Sequence, residues 1–134
     1  MERLLVLPER GEDVKIPPAP PPVIVKNLEP VLFDVDKSTI RPEYEPVLRR
    51  NVEWLRRNPK AVVRLEGHAD ERGSQKYNLA LGERRAQTVF RAMVRLGAQP
   101  RQMRILSFGE ERPLASSRGE EAYSKNRRVE FTLL

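Results

Sequence analysis

The residues most capable of chemistry fall between Glu66 and Ala86, where the chain reads EGHADERGSQKYNLALGERRA, four acids and four basic residues around the single histidine. Asp70 lies just past a strand-like stretch, and Arg85 lies about two turns into the helix that follows, on the side of Asn78 and Leu81. A helix folded back on its strand brings Arg85 over Asp70. One carboxylate beside one guanidinium is complementary to a ligand that carries both an ammonium and a carboxylate. The planar fork of arginine grips a carboxylate through two hydrogen bonds, and the aspartate accepts from the ammonium. The alternative is a salt bridge that pins the loop, and an exposed pair of that kind contributes only about 0 to 1 kcal/mol.

Other chemistries fit these residues less well. His68 would have to serve any Ser-His-Asp triad, yet no serine stands in a G-x-S-x-G turn. A hydrogen-bonded histidine at a strand end is the simpler reading. Asp36 with Asp70 or Glu71 has the composition of a glycosidase acid and base, but nothing in the sequence raises one carboxyl's pKa or builds a sugar cleft. Asp34-x-Asp36 matches part of a calcium loop without its glycine and distal glutamate. There is no cysteine, so thiolate zinc sites, disulfides and cysteine nucleophiles are excluded; no metal and no cofactor is expected. Arginine pairs at 49–50, 56–57, 84–85 and 127–128 raise the question of nucleic acid. Aromatic residues are only 6% of the chain and no recognised nucleic-acid motif occurs, so solvated helix faces explain the pairs better.

The elements that must position these residues follow from periodicity. Pro30 to Asp36 (PVLFDVD) predicts a strand ending in Asp34 and Asp36. A helix follows, with Pro42 in its first turn and Tyr44, Val47, Leu48, Val52 and Leu55 on one stripe; Asn58-Pro59 stops it. Ala61 to Gly67 predicts a second strand, with Val63 and Leu65 on one face and Val62, Arg64 and Glu66 on the other. Beyond a loop at 68–77, a helix from Leu79 to Leu96 is expected. Its N-cap would be Asn78, its C-terminal cap Gly97, and its buried stripe Leu79, Ala86, Val89, Phe90 and Met93. Gly82, inside that helix, implies close approach of a backbone or ligand. Met103 to Phe108 predicts a third strand, and Glu120 to Asn126 a short helical turn. A last strand, RRVEFTLL, turns Val129, Phe131 and Leu133 inward. The order β-α-β-α-β-(α)-β predicts an α+β fold, a mixed four-stranded sheet covered by two main helices. Strands joined across helices should be parallel neighbours, and the short last connection allows an antiparallel pair.

A chain of 134 residues supports one domain. PPAPPP at 17–22 favours an extended polyproline conformation, so residues 1–27 read as a tail or stiff linker and 28–134 as the domain; a plain spacer is preferred over a ligand for an SH3-like partner. Charged residues are 33% of the chain, and the net charge of +6 favours anionic partners. The apolar run Leu4 to Leu7 is too short for a signal peptide or a membrane span, so a soluble chain without a targeting segment is expected.

LEGHADERGSQKYNLALGERRA, with VLFDVDKSTIRPEY before it and SFGEERP and AYSKNRRVEF after it, resembles the OmpA-like peptidoglycan-binding domain, over about Leu28 to Leu134. Within that family it is most similar to the peptidoglycan-associated lipoprotein branch of the Tol-Pal system. The resemblance implies a two-layer β-α-β-α-β-(α)-β sandwich and non-catalytic binding of peptidoglycan at the meso-diaminopimelate residue of its stem peptide, whose free end is a zwitterion. The family's binding aspartate falls on Asp70, its binding arginine on Arg85, and the position after the first strand on Asp36. Leu81 and the backbone around Val35 and Ala69 would line the pocket, with Phe33 and His68 as secondary candidates. Glu71, Tyr77, Asn78 and Asn126 match family positions and are assigned to loop shape and capping, and Arg127 and Arg128 to a structural role beside the pocket. The resemblance also implies a monomer in the periplasm of a Gram-negative bacterium, associated with the outer membrane, with TolB as a protein partner. A lipoprotein of this kind would carry a lipidated cysteine near its mature start, and this chain has no cysteine and no signal. The sequence is then a piece of such a protein, or the domain belongs to a larger or differently anchored envelope protein. A MotB-like stator relative would use the same pocket and would need a membrane helix upstream.

Overall fold

In a computed structural model that describes residues 23–24, 28–70, 73–110 and 124–134, five strands and two long helices build a mixed sheet with helices on its inner face. The elements are β1 (Val23–Ile24), β2 (Val31–Leu32), α1 (Glu45–Arg57), β3 (Val63–His68), α2 (Gln75–Arg95), β4 (Met103–Gly109) and β5 (Arg128–Leu133). Residues 124–126 are helical; the rest of the turn expected from Glu120 lies outside the described residues, as do 1–22 and 25–27 of the expected linker. Val23 and Ile24, within that linker span, pair with Leu133 and Thr132.

The strand order is β1-β5-β3-β4, with β2 also on β5. β3 and β4 are parallel, as a helical crossover requires, and β5 runs antiparallel to β1, β2 and β3. Parallel neighbours across both helices are therefore only half correct. β2 and β3 point the same way, but β5 lies between them, because the last strand finds pairing edges on both.

β2 is also shorter than the strand expected over Pro30 to Asp36. Phe33 N–H still donates to the Arg127 carbonyl (2.8 Å), but at Asp34 the chain turns, Lys37 N–H donating to the Asp34 carbonyl at 3.1 Å. Asp36, third in that turn, has φ +55°, a left-handed conformation that aspartate tolerates better than most residues. Pro42 starts a 3-10 turn that leads into α1, which buries Leu48, Asn51, Val52 and Leu55, one stripe at helical spacing.

α2 begins four residues before the expected Leu79. Ser74 is its N-cap, the hydroxyl accepting from Tyr77 N–H at 3.0 Å, so Asn78 is not the cap but a buried residue of the helix interior. The buried face runs through Asn78, Leu81, Gly82, Arg85, Ala86, Val89, Ala92 and Met93, which leaves Leu79 on the exposed side rather than in the stripe. Gly82 fixes that rotation. A Cβ on Gly67 would stand 1.8 Å from the Gly82 carbonyl oxygen, and one on Gly82 would stand 2.3 Å from Ser107 Oγ. Helix and strand thus touch backbone to backbone, and Ser107 Oγ donates to the Leu79 carbonyl at 2.8 Å across the same contact. At the far end Gly97 N–H reaches the Val94 carbonyl (3.0 Å) and Ala98 N–H the Met93 carbonyl (2.9 Å), a Schellman closure that places Gly97 at φ +112°.

Leu55, Val63, Leu65, Val89, Met93, Val129 and Phe131 form the centre of the core. Each fully buried Leu or Val contributes roughly 1.5 to 3 kcal/mol over its exposed state. Two buried amides tie loops to this core. Asn51 Nδ2 and Oδ1 pair with the carbonyl and N–H of Glu29 (3.2 and 3.3 Å), as a strand neighbour would. Gln102 Nε2 points at the carbonyls of Leu55, Asn58 and Ala61 (3.2, 2.9 and 3.1 Å), satisfying the C-terminal end of α1.

Candidate functional site

The loop ends that leave β2 and β3, together with the first turn of α2, enclose an open cleft of about 290 Å³ lined by Val35, Asp36, Asp70, Gly73 and Tyr77. Two carboxylates face one hollow. Asp36 is exposed on its positive-φ turn, and Tyr77 Oη, from α2, donates to its Oδ1 at 3.2 Å. Asp70 is 6% exposed, and Arg127 Nη1 stands 3.4 Å from its Oδ2.

Arg85 lies beneath this cleft, fully buried. Its Nε donates to the Lys37 carbonyl (2.8 Å), Nη1 to the His68 carbonyl (2.9 Å) and Nη2 to the Asp34 carbonyl (3.0 Å). Its guanidinium also stands 5.3 Å from the centre of the Phe33 ring. Desolvation, and then the neighbouring Arg127 charge, lower its pKa to about 10, with Asp70, Tyr77 and Asp36 opposing; at neutral pH it is a cation. The spacing brings Arg85 and Asp70 to one site as expected, but their charges meet through different partners. Among the described residues Arg85 is bonded to three carbonyls, and the guanidinium paired with Asp70 belongs to Arg127. A planar cation with five donors can join three chain segments in this way, and a lysine cannot.

Arg127 does more than flank the site. Its Nε donates to the Phe33 carbonyl at 2.9 Å while its own carbonyl accepts from Phe33 N–H, so Phe33 is held from both directions. Ala69, Leu81, Phe33 and His68 are buried behind the cleft rather than on its wall: Ala69 N–H donates to the Gly109 carbonyl (2.8 Å), and the His68 ring stacks on Phe108 at 5.5 Å. Asn78 is buried one residue after Tyr77, its Nδ2 donating to Glu110 Oε1 at 2.6 Å. Glu71 lies outside the described residues. Sequence reasoning missed the Asp34 and Lys37 carbonyls as arginine acceptors and Gly73 as a wall. The Asp-x-Asp pattern carried the turn signal, and Ser74 carried the cap signal.

Glu66, His68 and Glu130 bring potential ligand atoms within 4.8 Å of one another on the sheet's outer face. Arg64 binds the Glu66 carboxylate at 2.7 Å and Arg128 binds Glu130, so the two negative charges are already balanced by two guanidiniums and offer no net attraction to a dication.

The OmpA family model matches residues 32–127, which contain both β-ends of the cleft and all of α2. The chain belongs to the OmpA family. This OmpA-family domain is 45% identical over 100 residues to the peptidoglycan-associated lipoprotein of Legionella pneumophila, covering 75% of this chain and 57% of that protein. It is 46% identical over 99 residues to the peptidoglycan-associated lipoprotein of Pseudomonas putida, covering 74% of this chain and 59% of that protein. The crystal structure of the peptidoglycan-associated lipoprotein from Burkholderia pseudomallei superposes with a TM-score of 0.76 at 35% identity, covering 78% of this chain and 89% of that one. The domain thus spans less than three fifths of the length of the two curated relatives, and the mixed sheet with its helices is the fold of the solved one.

Proposed function

We propose that this domain binds peptidoglycan without catalysis, at the zwitterionic end of the diaminopimelate residue of the stem peptide, and tethers an envelope component to the cell wall. The observation that carries this reading is a cleft walled by the Asp36 and Asp70 carboxylates, with the buried guanidiniums of Arg127, paired with Asp70, and Arg85 directly behind it. The ligand ammonium is taken by the two aspartates. The ligand carboxylate is drawn by the cations beneath, where Arg85 has two N–H groups beyond its three carbonyl bonds. Val35 and Tyr77 supply apolar surface for the methylene chain between the two charged ends. The net charge of +6 favours approach to an anionic wall. The relatives' name, peptidoglycan-associated lipoprotein, supports a place at the cell wall, and we propose that the domain lies in the periplasm at the outer membrane, in a Tol-Pal type system with TolB as partner.

The deciding experiment is calorimetric titration with an uncrosslinked diaminopimelate muropeptide beside the same peptide carrying lysine at that position. Binding to the first and loss of affinity for the second is the expected result, since lysine keeps the ammonium and lacks the carboxylate. Equal affinity for both, or none for either, sinks the proposal. Incubation with sacculi separates the hydrolase alternative, because a binder co-sediments and releases no soluble fragments.

A further inference from the structure

Tyr77 and Asp36 are 41 positions apart in sequence and reach the cleft from different elements, α2 and the turn after β2, yet a hydrogen bond of 3.2 Å joins them. Asp36 is an exposed side chain on a turn at φ +55°, and a short polar side chain in that setting has several rotamers open to it. Tyr77 is better anchored, although its ring is exposed. Its backbone N–H is bound by the Ser74 cap at 3.0 Å in the first turn of α2, and the Arg84 guanidinium sits 5.9 Å from the ring centre. The ring thus stands on a capped helix turn, and its hydroxyl donates to one oxygen of the Asp36 carboxylate, leaving the other oxygen for a ligand.

We infer that Tyr77 is a positioning residue: it locks the Asp36 carboxylate in the orientation that receives the ligand ammonium, so that the cleft is set before the ligand arrives. This rests on the proposed wall-peptide reading for its effect on affinity, but the positioning itself can be measured without ligand. A carboxylate fixed in advance loses less rotamer freedom on binding, and a hydroxyl bound to a charged acceptor is lost when Tyr77 becomes Phe while the ring and its Arg84 contact remain.

Three measurements on the full chain test it. Asp36 Hα–Hβ couplings by NMR should report one rotamer in the wild-type protein and averaged values in Tyr77→Phe; averaging in both, or one rotamer in both, overturns the proposal. Calorimetry with the diaminopimelate muropeptide should show Kd rising about threefold to tenfold in Tyr77→Phe with Tm unchanged. In an Asp36→Gly background, which suits the positive φ and removes the carboxylate, the same substitution should change nothing further. A Kd unaltered by Tyr77→Phe, or an equal loss with and without Asp36, means that the tyrosine does not act through the carboxylate. Absence of any wild-type affinity for the muropeptide sinks the wall-binding reading instead, and the couplings still decide whether Tyr77 holds Asp36.

Discussion

At the scale of single residues, Arg85 carries two duties that a binding assay alone would confuse. Its three carbonyl bonds join the turn after β2 to the end of β3, and its charge lies under the ligand cleft. Arg85→Met keeps an unbranched side chain in the site but removes a donor from three carbonyls, of which that of Asp34 keeps Lys37 N–H as a partner, and should cost about 2 to 4 kcal/mol in urea unfolding at pH 7 after allowing for relief of the buried charge. An unchanged midpoint would mean that water replaces the guanidinium. Because the pKa of Arg85 is lowered to about 10, the group stays protonated across the neutral range, and only above that value does loss of its proton relieve the burial cost and raise stability with pH. Asp70→Asn is likewise a mixed test, since it removes the charge that Arg127 faces. Asp36→Asn is the cleaner probe. The side chain is exposed and asparagine accepts φ +55°, so Tm should hold while affinity for the diaminopimelate peptide falls about tenfold or more. Retained affinity would remove Asp36 from the site. The aspartate and arginine types, and their spacing, were readable from the sequence. The distribution of their partners was not, because carbonyl acceptors belong to every residue and leave no mark in side-chain identity.

At the scale of elements, two glycines of α2's neighbourhood make opposite kinds of demand. Gly82 must be glycine because Ser107 Oγ and the Gly67 carbonyl occupy the space of its Cβ, whereas Gly97 has nothing within 4 Å and is constrained only by φ +112°. Gly82→Ala should therefore lose more than the roughly 1 kcal/mol of helix propensity that alanine brings, a net destabilisation of about 2 kcal/mol or greater. Gly97→Ala should lose about 1 to 2 kcal/mol from backbone strain alone. Equal effects in chemical denaturation would mean that the helix can slide off β3 at little cost. Helices and the central strands were legible through their periodicity, to within a few residues at each end. The errors at Leu79 and Asn78 share one cause. Hydrophobicity placed the stripe, but the glycine contact turned the helix so that Asn78 and Arg85, both polar, face inward with partners. The brevity of β2 has a similar origin, since the turn at Asp34 to Lys37 takes over residues whose alternation alone reads as strand.

At the scale of the whole molecule, β5 is the strand that most of the sheet depends on. It pairs with β1, β2 and β3, so the ladder order places the C-terminal strand in the interior while β4, formed earlier, stays at the edge. Adjacent strands in sequence did suggest a mixed sheet, but which strand takes the middle depends on long-range pairing that no local pattern encodes. Deleting Arg128–Leu133 should abolish cooperative thermal unfolding by circular dichroism, because β3 then loses its antiparallel neighbour and Phe131 and Val129 leave the core. A cooperative transition in the shortened chain would show that β3, β4 and α2 suffice. The position of β5 also imposes a schedule. A chain emerging N-terminus first, from a ribosome or through any narrow channel, delivers both long helices and four of the five strands before the piece that locks them arrives. Until then β3 lacks its antiparallel neighbour and the core lacks Val129 and Phe131, so the timing of closure is written into the order of the strands.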